Sequence, residues 1–360
     1  MSTSTYDKDR PYNDLPLLPP RIELETKAVL KKAISAHSSL AKLVGKGDHL
    51  PHQGILINSI VLQEARDSSE IENIFTTQDE LYQAGVSGPS MATAEAKEVH
   101  SYREALWQGF NSLSSRPITT NTLVDIVRVI KQTDIDIRTG TDTQIANSEG
   151  DAIYTPPVGE TLIRDKLANL ETYIHAEDNI DPLVKLAVIH YQFEAIHPFP
   201  DGNGRTGRIL NLLYLVHAGV LDIPVLYLSR YITENKTQYY QGLRGVTESG
   251  SWEDWLLYML DAIDVTAQDT ISRIDAIKNL MDSCAEFVHE KAPGIYSKDL
   301  IELIFQEPYC KINWLIENGI AKRQTASTYL NTLADIGVLA CQKVGREKYF
   351  INTELMKLLQ

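Results

Sequence analysis

A loop near the middle of the chain concentrates groups that can bind phosphate and move a proton. The sequence His-Pro-Phe-Pro-Asp-Gly-Asn-Gly-Arg-Thr-Gly-Arg occupies positions 197–208, between two apolar helical patterns. His197 can accept a proton near neutral pH, and Asp201 offers the kind of carboxylate that Mg²⁺ takes together with phosphate oxygens and water. Because the loop opens a helix, unpaired N–H groups there would form an anion site.

The loop also has the composition of a phosphate cradle. Asn203 lies between Gly202 and Gly204, and glycines allow left-handed backbone in which successive N–H groups point into one concavity. Arg205 and Arg208 share one face of the following helix and could grip two further phosphate groups. The spacing therefore predicts a triphosphate site. No Walker lysine and no dinucleotide fingerprint accompany these glycines, which excludes the commoner nucleotide-binding loops.

This stretch resembles the signature of the Fic family, His-x-Phe-x-(Asp/Glu)-Gly-Asn-Gly-Arg-x-x-Arg, with every fixed position filled. The resemblance implies a mainly α protein with a Fic-type helical bundle. It also implies a protein adenylyltransferase, an enzyme that transfers AMP from ATP to a Ser, Thr or Tyr hydroxyl of a target protein or of itself. Such a reaction depends on positioning and electrostatics more than on covalent catalysis.

The family roles pass to this chain residue by residue. His197 would deprotonate the target hydroxyl, and Asp201 would bind Mg²⁺ between the α- and β-phosphates. Phe199 would anchor the loop in the core. The other motif residues would contact phosphates, with the cradle formed by Gly202, Asn203 and Gly204, the leaving pyrophosphate neutralised by Arg205 and the γ-phosphate bound by Arg208.

A second motif, upstream, predicts low resting activity. Ser68 and Glu72 belong to a Ser-Ser-Glu-Ile-Glu-Asn stretch that resembles the inhibitory helix of Fic proteins, (Ser/Thr)-x-x-x-Glu-(Gly/Asn). Four residues apart, they share one face of a helix. The resemblance implies that Glu72 pairs with Arg208 and occupies the group that the γ-phosphate needs. Because the motif precedes the loop, the chain resembles the class with an N-terminal inhibitory helix.

Residues 143–157 predict two short strands around a Gly-containing turn. They resemble the β-hairpin flap with which Fic proteins hold a target chain in extended form by main-chain pairing. In this chain the target-binding part of the flap would be formed by Ile153, Tyr154 and Thr155.

The adenine pocket is predicted downstream of the loop. Tyr240 and Leu243 are three residues apart and resemble the Fic residues that enclose the base. Thr247 stands where many relatives carry Asn, so this position departs from the family pattern and leaves nucleotide preference open.

Composition limits the remaining function classes. The chain has 360 residues and is 43% hydrophobic, enough for two or three domains. Its net charge of -14 argues against bulk nucleic-acid binding. The 3 cysteines are widely spaced and fit a reducing cytoplasm. No membrane contact is expected, because residues 1–20 lack an apolar signal segment and the apolar stretch 209–228 is interrupted by polar residues. The first ten residues are expected to be mobile.

Periodicity predicts a mainly α chain in three parts. Residues 1–110 form an N-terminal Fic-associated helical region carrying the inhibitory helix, and residues 111–290 form the Fic catalytic core. The break at Ala-Pro-Gly, 292–294, starts a third part, residues 294–360. Helical patterns occupy 27–43, 56–65, 92–106, 120–131, 162–176, 182–195 and 252–281.

The third part is predicted to be a winged helix-turn-helix domain. Its helices are expected at 298–306, 313–318 and 323–336, and its strands at 338–342 and 348–351, around a turn at Gly345. Residues 321–329 resemble a recognition helix that could enter a DNA groove. The wing would carry Lys343, Arg346 and Lys348.

The charge of this domain favours a protein partner slightly over DNA. Lys and Arg nearly balance Asp and Glu in it, whereas a committed DNA binder is usually basic. Winged helices also serve as docking and dimerisation modules, so a homodimer is among the arrangements it allows.

Two other functions remain open beside AMP transfer. One is a DNA-binding transcriptional regulator whose Fic-like core senses a nucleotide, and the other is removal of AMP, with Glu72 positioning water. The intact His197 and Asp201 favour an enzyme, because a sensor has no use for a base beside the α-phosphate.

Overall fold

The structure is a computed structural model, which describes residues 6–47, 53–87, 92–146, 151–344 and 347–359. In these ranges the chain is mostly helical, as predicted. The helices are α1 (Lys27–Gly47), α2 (Gln53–Ile71), α3 (Gln78–Ser87), α4 (Ala94–Ser112), α5 (Thr120–Lys131), α6 (Glu160–Ile174), α7 (Pro182–Ile196), α8 (Asn203–His217), α9 (Leu228–Glu234), α10 (Lys236–Ser249), α11 (Trp252–Lys291), α12 (Lys298–Gln306), α13 (Ile312–Glu317), α14 (Arg323–Asp335) and α15 (Thr353–Leu358). The strands are β1 (Ile145–Ala146), β2 (Ala152–Tyr154), β3 (Tyr309–Cys310), β4 (Ala340–Val344) and β5 (Glu347–Ile351).

Helix α7 lies in the middle of the bundle. Nearly all of its side chains are buried, which a helix that is apolar on every side requires. It packs against α6, α8 and α11. Asp181 caps its start by accepting a hydrogen bond from the Leu183 N–H at 2.8 Å. Helix α8 is buried along most of its length as well. The loop between α7 and α8 is therefore anchored at both ends in the core.

Helix α11 is 40 residues long and supports the bundle from one side. It packs along α1, and Asp264 of α11 accepts hydrogen bonds from Ser35 and Ser39, both at 2.7 Å. The helical patterns predicted after position 252 thus belong to one continuous helix, which ends at Lys291, before the Pro and Gly at 293–294.

The predicted hairpin before the motif is present as an antiparallel pair of β1 and β2, with Ile145 opposite Tyr154. Its predicted turn, residues 147–150, lies outside the described residues.

Residues after α11 form a small α+β unit. Its three-stranded antiparallel sheet has the order β3, β5, β4, and α12, α13 and α14 precede the β4/β5 hairpin. This order follows the predicted helix-turn-helix and hairpin, with β3 added as a strand that the sequence pattern does not predict. Gly345 and Arg346 lie outside the described residues. Lys343 and Lys348 are exposed on the two strands.

The C-terminal unit docks on the helices next to α2. The Tyr309 hydroxyl donates to Asp79 of α3 at 2.8 Å, and the Gln78 amide donates to the Leu359 carbonyl at 2.8 Å. Within the described ranges, none of the helices is both long and apolar enough to cross a membrane.

Candidate active site

Side chains of the loop between α7 and α8 hold the conformation of that loop. His197 follows the last residue of α7 with φ +48°, an uncommon left-handed conformation for a non-glycine residue, and its N–H donates to the Phe193 carbonyl at 3.0 Å. Phe199 is fully buried beside the Phe193 ring. The Asn203 side chain accepts from the Phe199 N–H at 2.8 Å and donates to the Phe199 carbonyl at 2.7 Å. This side chain is therefore used to close the loop, which leaves the backbone N–H of Asn203 for the predicted cradle.

Glycine occupies positions 202 and 204 of the loop for different structural reasons. Gly202 precedes α8 with φ +83°, the left-handed conformation that favours glycine. Gly204 lies inside α8, so the expectation of left-handed backbone on both sides of Asn203 is wrong for this position. A Cβ at Gly204 would lie 2.2 Å from Glu72 Oε1 and 2.9 Å from Arg208 Nη1. A side chain at Gly204 would therefore displace the Glu72 carboxylate or the Arg208 guanidinium.

Arg208 is held by the end of α2. Its side chain is 2% exposed and donates from Nε to the Ser68 hydroxyl at 2.7 Å and from Nη2 to the Ser68 carbonyl at 2.8 Å. Nη2 also donates to Glu72 Oε1 at 2.7 Å. Burial alone would raise the pKa of Glu72, but the charge of Arg208 outweighs burial and lowers it. Glu72 is therefore an ionised partner of Arg208 at neutral pH.

Arg205, equally buried, has a partner that no sequence pattern predicts. Its Nη1 donates to Glu98 Oε2 of α4 at 2.6 Å. Lys131, the last residue of α5, lies 2.6 Å from Asp201 and 4.0 Å from Glu98. The Arg205 and Asp201 side chains are 4.0 Å apart, so these four residues form a closed ring of alternating charge at the start of α8. No sequence motif marks Glu98 or Lys131, and only the packing of α4 and α5 against α8 brings them here.

His197 has the protonation state that a general base needs. Burial, and next the positive charge of Arg138, lower the pKa of His197 to about 4. Its Nδ1 is buried and makes no hydrogen bond of ordinary geometry to the described residues. The imidazole is therefore neutral at pH 7 and able to accept a proton.

Asp201 is chemically suited to Mg²⁺. Its side chain is 61% exposed, and although burial would raise its pKa, Lys131 outweighs burial and lowers it, so the carboxylate is charged at neutral pH. The described residues contain no group of three or more His, Cys, Asp or Glu side chains placed to hold a metal. Mg²⁺ accepts one or two carboxylates when substrate phosphates and water supply the other ligands. Asp201 fits that donor set, provided that Lys131 moves away from it.

The flap is tied to the end of α7. The Tyr154 hydroxyl donates to the Ala195 carbonyl at 2.7 Å, two residues before His197. Tyr154 is partly buried, and this hydrogen bond gives the second strand of the hairpin a fixed position beside the loop.

The N-terminal segment lies along the flap. The Thr155 hydroxyl donates to the Lys8 carbonyl at 2.7 Å, and the Tyr12 N–H donates to the Thr155 carbonyl at 3.0 Å. The Tyr6 hydroxyl donates to the Ile153 carbonyl at 3.3 Å. Residues 6–10, expected to be mobile, therefore contact the strand that was predicted to receive a target, and they use some of its main-chain groups.

The predicted adenine contacts lie on α10. Tyr240 is 48% exposed and Leu243 is partly buried, whereas the neighbouring Tyr239 is buried. The Thr247 hydroxyl donates to the Leu243 carbonyl at 3.1 Å and shares a hydrogen bond with the Tyr191 hydroxyl at 3.0 Å. Thr247 is thus occupied by the protein, at the position where many Fic relatives carry Asn.

Comparisons with known proteins agree with this fold and motif. Three family models match in order along the chain: Fic/DOC family N-terminal at 30–111, Fic/DOC family at 117–215, and the C-terminal domain of SoFic-like protein adenylyltransferases at 280–355. A Fic family protein from Desulfovibrio desulfuricans G20 has a TM-score of 0.59 at 17% identity, covering 93% of this chain and 98% of that one. Fic-1 from Caenorhabditis elegans has a TM-score of 0.52 at 21% identity, covering 69% and 74%.

Curated relatives match over shorter stretches. A probable protein adenylyltransferase of Aquifex aeolicus is 37% identical over 82 residues, which is 23% of this chain and 25% of the relative. Protein adenylyltransferase fic-1 of Caenorhabditis elegans is 29% identical over 133 residues, 35% of this chain and 25% of the relative. The match thus spans about a quarter of the length of each of these relatives.

The motif, the mainly helical fold and the ordered family matches agree, and the chain belongs to the Fic/DOC family. Within that family, its last part is similar to the C-terminal domain of SoFic-like protein adenylyltransferases.

Proposed function

We propose that this protein transfers AMP from ATP to the hydroxyl of a Ser, Thr or Tyr side chain on a target protein, itself included, and that Glu72 restrains the reaction. The observation that carries the proposal is the neutral His197 in one short loop with two buried arginines and an exposed carboxylate. The names of the matched relatives support the same reaction class.

The chemistry follows from the roles of the loop residues. His197 takes the proton of the target hydroxyl, whose oxygen forms a bond to the α-phosphorus of ATP. The bond from that phosphorus to the oxygen bridging to the β-phosphate breaks, and pyrophosphate leaves. Arg205 neutralises the leaving group and Arg208 binds the γ-phosphate. Mg²⁺, held by Asp201, would neutralise charge between the α- and β-phosphates.

Restraint follows from competition for Arg208. The Nε and Nη2 groups that would bind a γ-phosphate already donate to Ser68 and Glu72. Arg208 has two states, one paired with Glu72 and one free for the γ-phosphate. If the paired state is strongly favoured, reversing that equilibrium requires roughly 5 kcal/mol of differential binding, so a target or a metal ion must bind the free state more tightly than the paired state.

Removal of AMP is the second reaction that these groups support. The Glu72 side chain is 37% exposed, and it lies close enough to His197 for that residue to contribute to the lowered pKa of Glu72. A carboxylate in that position can orient a water molecule for attack on a phosphorus atom. Release of AMP from an already labelled protein, lost in Glu72→Gln, would favour this reaction.

We further propose that the C-terminal unit contacts a protein partner. Lys322 and Arg323 are exposed at the start of α14, but the unit as a whole is nearly neutral. A salt-dependent shift with duplex DNA that disappears when both residues are changed to Ala would favour DNA instead.

Incubation with α-labelled ATP, Mg²⁺ and cell lysate tests the main proposal. Wild type and Glu72→Gly should label protein and His197→Ala should not, with Glu70→Gly as the control for a glycine at the end of α2. Label from γ-labelled ATP would mean phosphate transfer and would contradict the proposal.

A further inference from the structure

Arg138 lies between the flap and the catalytic loop. It follows α5 in the chain, precedes β1 and is 3% exposed. Backbone carbonyls are the hydrogen-bond acceptors of its guanidinium group. Burying a guanidinium carries a large desolvation free energy unless its N–H groups make hydrogen bonds, so an arginine at this position is expected to have a structural or catalytic role.

The donors of Arg138 converge on the turn that carries His197. Nε donates to the His197 carbonyl at 2.7 Å, and Nη2 donates to the Ile196 carbonyl at 3.3 Å. The backbone N–H of Arg138 donates to the Pro198 carbonyl at 2.9 Å. One residue therefore binds three consecutive residues at the point where α7 ends.

Nη2 also donates to the carbonyl of Pro157, which follows the flap strand β2. The same guanidinium thus bridges the base of the flap and the catalytic loop. Nη1 is buried without a partner among the described residues, so its N–H groups are left for a bound group.

The position of Arg138 at the C-terminal end of α7 explains why this residue is an arginine. The last carbonyls of α7 have no partners inside the helix, and the helix dipole places negative charge at this end. A planar guanidinium can bond several carbonyls in fixed directions, which a lysine ammonium cannot. His197 has left-handed backbone at this point, and contacts to its own carbonyl and to both neighbouring carbonyls hold that conformation.

We propose that Arg138 is a positioning residue that fixes the His197 turn and joins it to the flap, so that the base and an extended target chain are held at a constant distance. This inference rests on the proposed AMP transfer. It adds a function for a residue outside the loop motif.

The electrostatics of the turn support this role. After burial, Arg138 is the main group that lowers the pKa of His197. The groups that oppose it are Glu72, Glu194 through its backbone, and Asp201. Removing the charge of Arg138 should therefore raise the pKa of His197 from about 4 toward the ordinary value of about 6.5.

The test pairs an NMR titration with kinetics. The His197 imidazole signals, assigned by their loss in His197→Ala, are followed against pH in wild type, Arg138→Met, Arg138→Lys and Arg128→Met. Arg128 is the matched control, because its Nε donates to the Ile135 carbonyl in the same segment without touching the loop. AMP transfer is measured with the same substitutions in a Glu72→Gly background.

A positioning role predicts a split that a purely structural role would not. In Arg138→Met the pKa of His197 rises and kcat falls by roughly tenfold to a hundredfold, while KM for ATP is unchanged, since small misplacement of a catalytic group has costs of this order. Arg138→Lys keeps the low pKa of His197 but loses kcat. Arg128→Met changes neither quantity.

Other results would overturn the inference. A folded Arg138→Met with a lower melting temperature but unchanged His197 pKa and kcat would mean that Arg138 only stabilises the fold. If Arg138→Met does not fold, Arg138→Lys decides, and a wild-type kcat in that variant would overturn the proposal. If no variant transfers AMP, the proposed function fails, and the His197 titration still decides whether Arg138 controls the base.

Discussion

Arg205 and Arg208 lie three residues apart in α8 and are equally buried, yet they are held in different ways. Arg208 donates to the Ser68 hydroxyl, the Ser68 carbonyl and Glu72, all at the end of α2. Arg205 has Glu98 as its hydrogen-bonded carboxylate and lies 4.0 Å from Asp201, and its buried Nε has no partner in the part of the chain that the structure describes. One arginine is thus enclosed by a preformed set of acceptors, and the other makes a single hydrogen bond to a carboxylate.

This contrast indicates which contact should dominate restraint. Glu98 is 35% exposed and a partly exposed pair is worth about 1 kcal/mol or less, so phosphate can displace it readily. Glu72 is similarly exposed, but it acts together with the hydroxyl and carbonyl of Ser68 on its arginine, whereas Glu98 has no such second acceptor beside it within the described ranges. We therefore expect Arg208 to decide whether ATP binds productively, and Arg205 to adjust how tightly it binds.

The largest effect is expected from removing the base. The rate of AMP transfer without His197 is the background against which the effects at the two arginines are compared. His197→Ala should lower AMP transfer by roughly 10² to 10⁴, the usual contribution of a general base. Its affinity for ATP should be unchanged, because both arginines remain. Calorimetry for ATP and α-label incorporation measure the two quantities, and unaltered transfer would refute the assigned role.

Freeing Arg208 should have the next largest effect. Glu72→Gly is expected to raise AMP transfer and self-modification by roughly tenfold to a hundredfold, equivalent to about 1.4 to 2.7 kcal/mol of released restraint. Glu70→Gly, which changes a neighbouring glutamate at the end of the same helix, should leave the rate near that of wild type. Equal rates for both variants would show that Glu72 does not restrain the site.

Mild acid should not relieve the contact at Arg208. The pKa of Glu72 is lowered below its usual 4.5, so its carboxylate stays charged, and the contact is lost only as pH falls below that range. The pKa of His197 is about 4, so the base stays neutral over the same interval. The ratio of Glu72→Gly to wild-type rates should therefore be constant from about pH 5 to 6, below the range near pH 7 in which the buried Glu64 and Glu194, which interact electrostatically with Arg208, change their protonation. A rise of the wild-type rate alone between about pH 6 and pH 5 would contradict this.

Freeing Arg205 should have a smaller effect. Glu98→Gln is expected to tighten ATP binding by roughly twofold to fivefold, the range of a partly exposed ion pair. In the double variant with Glu72→Gly the two effects should nearly multiply, because each carboxylate hydrogen-bonds a different arginine. Glu95→Gln, an exposed change on the same helix, is the control. A larger effect from Glu98 than from Glu72 would reverse the comparison.

The smallest effect is expected at the flap. Deleting residues 1–10 removes the Lys8 and Tyr6 contacts to Thr155 and Ile153, and should raise labelling of lysate proteins by roughly twofold to fivefold, as loss of one or two partly buried hydrogen bonds allows. ATP affinity should not change. Reduced labelling would mean that the segment supports the flap.

Much of the fold was predictable because its helices are long and periodic. The bounds of α5 and α12 follow directly from their apolar patterns. Short elements escaped prediction, since α3 has a polar sequence and β3 contains only two residues, so tertiary pairing decides both.

The candidate site divides in the same way. The loop and the Ser68 and Glu72 stretch carry local patterns, so the amino-acid sequence is enough to predict them. Glu98, Lys131 and Arg138 carry none, because a charged residue has the same local sequence whether it faces water or a buried partner. The roles of Glu98 and Lys131 depend on how α4 and α5 pack against α8, and the role of Arg138 depends on how the loop after α5 meets the end of α7.

The central claim is that Glu72 and the γ-phosphate compete for Arg208. The most direct measurement is the initial rate of α-label incorporation at saturating ATP and Mg²⁺ in wild type, Glu72→Gly, Glu70→Gly and the double variant Glu72→Gly/His197→Ala. The account predicts a rate at least about tenfold above wild type in Glu72→Gly alone, and background label in the double variant. Equal rates in wild type and Glu72→Gly, with His197-dependent label in both, would contradict it.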